Sequence, residues 1–143
     1  MTETIIKAIA NSLKELFPKF NIYDEGIEQG YEEPCFFIEW DSGEKQKMVG
    51  GRSKITPSFR VIYLQALDEK DSNNKIYAVQ SILEQNFEML QSDNCFFRAT
   101  NMQFEKQNKD LHFTFEVVHY TREKIDGVKM EKVEEMEISK KWG

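Results

Sequence analysis

The stretch "CFFRATNMQFEKQ" (95–107), the tripeptide "NKD" (108–110) and "LHFTFEVVHYTRE" (111–123) together decide the fold. In the last of these, Leu111, Phe113, Phe115 and Val117 alternate with His112, Thr114 and Glu116. A period of two is the mark of a strand with one face on a core and the other turned away. Asn108-Lys109-Asp110 supplies the turn residues between the two β-rich runs, so the segment reads as an antiparallel hairpin.

Working outward, "ITPSFRVIYLQAL" (55–67) reads as a further strand, with Phe59, Val61 and Tyr63 on one face and Ile62 and Leu64 on the other. Apolar residues on both faces point to a central strand, or to one whose second face meets a partner. "PCFFIEW" (34–40) places Phe36, Ile38 and Trp40 on one side and Cys35, Phe37 and Glu39 on the other. Pro34 lacks an N–H for a ladder and so belongs at the start of this strand or on an edge. "KFNIYDEGIEQG" (19–30) reads as a short strand around Phe20 and Ile22, running into a loop with Gly26 and Gly30.

Two segments carry helical spacing instead. Ile5, Ile6, Ile9, Leu13, Leu16 and Phe17 form one apolar stripe, opened near Thr2 or Thr4 and closed before Pro18. Ile76, Val79, Ile82, Leu83, Phe87 and Leu90 form a second, with Asp71 or Ser72 as its N-cap and "QSDN" (91–94) as its end. After the hairpin, "IDG" (125–127) turns the chain and "VKMEKVEEMEI" (128–138) adds an edge strand whose charges discourage stray pairing. Hairpins dominate and βαβ alternation is lacking. The class is therefore α+β, a mainly antiparallel sheet with two amphipathic helices packed on it.

One segment differs from the rest. "DSGEKQKMVGGRSK" (41–54) has three glycines, five charged residues after Asp41 and only Met48 and Val49 as apolar side chains. It reads as a flexible loop or a long hairpin arm at about 42–54, within a single domain spanning 1–143. An arm that becomes ordered on a partner is the stronger reading of its glycines and bases than a phosphate loop, because a strand follows where a phosphate loop needs a helix. Lys45, Lys47, Met48 and Arg52 are the interface candidates within it.

Composition narrows the function. The chain has 143 residues, 40% hydrophobic and 31% charged, which is material for one ordered core under a wet surface. A net charge of −6 argues against a general nucleic-acid binder, which needs Lys and Arg to displace counterions. No apolar run approaches the roughly 18 residues of a spanning helix. The first residues, "MTETIIKAIANSLKELF", lack the basic start and long apolar core of a signal peptide.

Catalytic and metal readings are weak. Cys35 follows Glu32 and Glu33, which oppose thiolate formation, so it reads as a small residue filling a strand start. Cys35 and Cys95 form no CxxC pair and read as buried free thiols. His112 and His119, seven apart in one strand, face opposite sides of the sheet and cannot share a metal ion undistorted. The carboxylates of "EKVEEMEI" alternate along a strand and read as a solvated edge. No catalytic, cofactor-binding or metal constellation emerges.

Four pieces in order carry a family resemblance: "IANSLKELFP" (9–18), "EQGYEEPCFFI" (28–38), "RATNMQFEKQNKDLHFTF" (98–115) and "EEMEI" (134–138). Together they resemble the small tail terminator proteins of phages and prophages of Gram-positive bacteria, including defective contractile-tailed prophages. The resemblance implies an α+β structural protein that is not an enzyme and uses no cofactor. It implies a homo-oligomeric ring, commonly a hexamer, on the head-proximal end of the tail tube, though an isolated subunit can be monomeric. The expected partners are the tail tube protein and a neck or head-completion protein. DNA would pass through the lumen without specific binding, and no membrane is involved. The implied locations are the bacterial host cytoplasm during assembly and then the tail–neck junction of the virion. Two alternatives stay open: a neck or head-completion protein of the same particle, and a small cytosolic enzyme or ligand-binding α+β domain using Cys35, His112 or His119.

Overall fold

The computed structural model describes residues 2–24, 32–65, 72–92 and 94–122. The chain runs α1 (Thr2–Leu16), β1 (Asn21–Asp24), β2 (Cys35–Lys47), a short 3₁₀ turn (Val49–Gly51), β3 (Arg52–Leu64), α2 (Ser72–Asn86), β4 (Met89–Ser92), β5 (Cys95–Gln107), β6 (Asp110–Val117) and β7 (His119–Arg122). This is the α+β class that the alternation of residues 111–117 requires. The strands form one sheet in the order β1-β2-β3-β6-β5-β4, with β7 joining β3 beyond the end of β6. All pairings are antiparallel except β1 with β2.

Register shows which residues share the core face. Phe36 lies opposite Tyr63 and Ile38 opposite Val61, while Phe59 lies opposite Phe115, Val61 opposite Phe113 and Tyr63 opposite Leu111. All of these are buried. The helices lie over this face. From α1 come Ile5, Ala8, Ile9 and Leu13, and from α2 come Ile76, Val79 and Leu83, all in one cluster with the sheet. Glu3 in the first turn of α1 and Lys14 in its last complement the helix dipole. Pro18 follows where the helix has stopped.

Aromatic rings join the layers. Phe87 meets Phe113 and Phe115 edge-on, both at 5.2 Å, and Phe104 stacks on Phe113 at 4.5 Å. At the other end Phe17 contacts Phe36 at 4.9 Å, and Phe20 stacks on Tyr63 at 5.7 Å. Such contacts add to the burial of large apolar rings, which dominates the stability of a core of this size.

Several expectations are corrected. The second helix stops at Asn86 and does not extend to "QSDN". Leu90 is buried from β4, opposite Phe97, and not from a helical stripe. The spacing from Phe87 to Leu90 fits a helix, but the alternation of Met89 to Ser92 fits a strand, and pairing with β5 decides between them. His112 and His119 do not share one strand, because the ladder breaks at Val118 and the two residues lie on β6 and β7. The expected loop at Gly26 and Gly30, the Asp71 cap, the side chain of Ser72, the turn at 125–127 and the edge strand at 128–138 lie outside what is described.

Two bulges set the side-chain facing. Between Trp40 and Ser42 the register of β2 shifts, leaving Asp41 as the extra residue. Asp41 uses this freedom to reach Arg60 at 3.5 Å. Between Thr100 and Gln103 the register of β5 shifts in the same way, with Asn101 at φ 53°. The second shift is why Phe97 and Ala99 on one side of it and Phe104 on the other all join the core.

Candidate functional site

Residues 42–54 form the outer part of the β2–β3 ladder. Ser42 to Lys47 pair with Ser58 to Ser53, and the chain reverses through Val49–Gly51. Gly50 and Gly51 sit at φ 80° and 76°, the left-handed region that glycine occupies without strain. The Met48 N–H donates to the Arg52 carbonyl at 2.7 Å and closes the turn. β7 then pairs with Arg52 to Ile55 on the other side of β3, so the outer half of this arm, next to the turn, has three strands.

The arm is exposed from Trp40 to Gly50, and Val49 at its tip is 93% accessible. The Asp41 bulge fixes its two faces. Lys45 lies opposite Ile55 and Lys47 opposite Ser53, on the side continuous with the core face, where the Trp40 indole also lies over Gly43. Arg52 belongs to the other side, with its guanidinium 5.5 Å from the centre of the Tyr120 ring, a cation–π contact. The four sequence candidates therefore share one arm but not one face. Lys45 and Lys47 stand together, Met48 is at the tip, and Arg52 is behind.

The chemical candidates stand apart. Cys35 and His112 both lie on the sheet face away from the helices, but β3 runs between β2 and β6. Two strand spacings are roughly 10 Å, too far for a thiol–imidazole hydrogen bond. His119 pairs with Ile55 partway along the arm, far along β3 from both. Cys35 is fully buried, and burial, with Glu33 and then Asp110 adding to it, pushes its thiol up to about 11. Such a thiol stays protonated at neutral pH. Both cysteines are free, Cys35 buried and Cys95 half-buried.

A groove of about 270 Å³ lies on the same far face, lined by Arg60, Gln103, Glu105, His112 and Thr114. Arg60 Nε and His112 Nδ1 are enclosed there without a hydrogen-bond partner. Beside the β5–β6 turn, burial raises the Asp110 carboxyl while His112 acts to lower it. Among the described residues, no group of three or more His, Cys, Asp or Glu could hold a metal ion. No described helix is long and apolar enough to cross a membrane.

Sequence reasoning missed a second exposed apolar surface. Met89 and Phe96 are 52% and 64% accessible on the outer side of the β4–β5 ribbon, beside the Glu88–Arg98 ion pair at 3.8 Å. The run "CFF" does not reveal which of its rings faces out. That is set by Leu90 pairing with Phe97, which turns Phe96 away from the core.

The fold is thus an α+β sheet protein with a projecting three-stranded arm and dispersed thiol and imidazole groups. A family model described as a phage tail terminator protein matches residues 4–129. The chain belongs to the phage tail terminator family, a family of structural proteins of the virion tail. No curated protein matches it. One solved structure aligns with 88% of this chain and 98% of its own length, at 12% identity and a TM-score of 0.40.

Proposed function

We propose that this chain closes the head-proximal end of a phage tail tube as a homo-oligomeric ring, stops tube growth, and presents the surface that joins tail to neck. Family membership over residues 4–129 supports a tail-assembly role. The observation that carries the finer reading is the arm: paired strands with an exposed apolar tip and Lys45, Lys47 and Arg52 along their length. A ring of identical subunits needs two unlike patches per subunit, and a projecting arm is one of them. The role requires no catalysis and no cofactor.

The net charge of −6 suits a ring around passing DNA that must not adhere to it. A basic channel in the assembled ring would sink this lumen reading. Assembly would take place in the host cytoplasm, and the finished ring would sit at the tail–neck junction.

The test is electron microscopy of the purified protein mixed with tail tubes lacking their own terminator. Rings at one tube end support the proposal, while rings on head portals would make this a neck or head-completion protein. Deleting Glu44 to Gly51 is expected to leave a folded subunit that no longer caps. Normal capping by that deletion would refute a role for the arm.

A further inference from the structure

We propose that the arm tip of one copy seats on the β4–β5 ribbon of the neighbouring copy, with Met48 and Val49 against Met89 and Phe96. This rests on the ring reading above and names the partner of the arm as a second copy of this chain.

Three observations converge on it. The first is apolar exposure at both places: Met48 and Val49 are 40% and 93% accessible, and Met89 and Phe96 are 52% and 64% accessible. Isolated exposed apolar residues are ordinary, but neighbouring pairs on two projecting ribbons are candidates for mutual burial. The second is charge. Residues 42–54 hold Lys45, Lys47, Arg52 and Lys54 against Glu44 alone, a net charge of +3. Residues 84–98, which include the β4–β5 pairing, hold Glu84, Glu88 and Asp93 against Arg98 alone, a net charge of −2. Opposite charge around matched apolar centres favours this pairing and disfavours arm against arm.

The third is placement. β4 is the edge strand at one side of the sheet, whereas the arm lies three strands away and continues β2 and β3 along their own direction past the Glu116 end of β6. Two unlike patches separated in this way give a heterologous contact, and repetition of such a contact closes a ring when the rotation allows. The arm fits its role mechanically, because it is held by paired backbone and delivers Val49 at a defined place.

The test is site-directed cross-linking in a Cys95→Ser background, with the buried Cys35 left in place. Val49→Cys and Phe96→Cys proteins are assembled on tail tubes, separately and mixed, then oxidised. A disulfide needs α-carbons within about 7 Å, so a link reports the seated contact. The expected result is a linked dimer in the mixture and none with either variant alone. Rings that cap tubes without this link overturn the pairing and leave the capping role standing. A link formed in rings that do not cap tubes keeps the pairing and overturns the capping role. Failure of the mixture to assemble or link at any concentration overturns the pairing. Both substituted positions are exposed, and each variant's melting temperature is expected to match that of the Cys95→Ser protein.

Discussion

The inner and outer parts of the β2–β3 ladder share two strands and one hydrogen-bonding pattern, yet they hold opposite kinds of residue. Inside, Phe36 faces Tyr63 and Ile38 faces Val61, and all four are buried under the helices. Outside, Lys45 faces Ile55 and Lys47 faces Ser53, with the β2 side of the ladder fully exposed. The inner part is held by what it excludes from water. The outer part is held by its backbone, its turn and the added strand β7. The transition falls at Asp41, where one extra residue shifts the alternation of β2 before the chain leaves the core.

That contrast can be broken first on its buried side. Phe113 contacts Phe87, Phe104 and Phe115. Phe113→Ala is expected to cost about 3–5 kcal/mol in urea or guanidinium unfolding, because ring burial is lost and a cavity remains. A loss below 1 kcal/mol would mean that the aromatic cluster is not what holds the sheet to its helices.

On the arm the largest expected effect comes from the backbone. Gly50→Ala places a Cβ where nothing lies within 4 Å, so packing does not resist it, but φ of 80° does. The left-handed conformation costs an L-residue about 1–2 kcal/mol. The expected outcome is faster hydrogen exchange at the Met48 amide with the global unfolding midpoint nearly unchanged. A large fall in the midpoint would show that the arm and core unfold as one.

The outer part of the ladder should respond to pH. Burial holds the His119 imidazole below its ordinary value of 6.5, with a weaker contribution from the N-terminal charge and partial opposition from a backbone hydrogen bond at Val117. The unfolded chain then takes up a proton more readily than the folded one. Stability is therefore full above pH 6.5 and falls as pH drops toward the folded value. In His119→Gln this slope should flatten, measured by denaturation midpoints across that range. An unchanged slope would place the acid sensitivity elsewhere. The smallest effect is expected at the tip: Val49→Ser should change stability by no more than about 0.5 kcal/mol, since its side chain is already in water.

Much of the sheet could be read from residue order because its core face repeats every second residue. Leu111, Phe113, Phe115 and Val117 alternate without interruption, and all are buried. β4 was hidden because Leu90 satisfies both a helical and an extended pattern, and only pairing with Phe97 separates them. The arm's candidate residues were visible as a basic, glycine-containing segment. Their division between two faces was not, because simple alternation from Trp40 puts Ser42, Glu44 and Gln46 on the core side. The bulge at Asp41 puts Lys45 and Lys47 there instead. A bulge is a property of the pair of strands, and one strand's sequence does not carry it.

The bracing of β3 by β7 has a mechanical consequence. Three paired strands along its outer half make the arm a stiff lever, whose length is set by residue count. Each residue added to both strands would move the tip outward by about 3.4 Å. Because faces alternate, a change of two residues per strand would preserve the orientation of Lys45 and Lys47 relative to the body, and a change of one would invert it. Relatives with a longer or shorter arm should therefore differ in it by even steps.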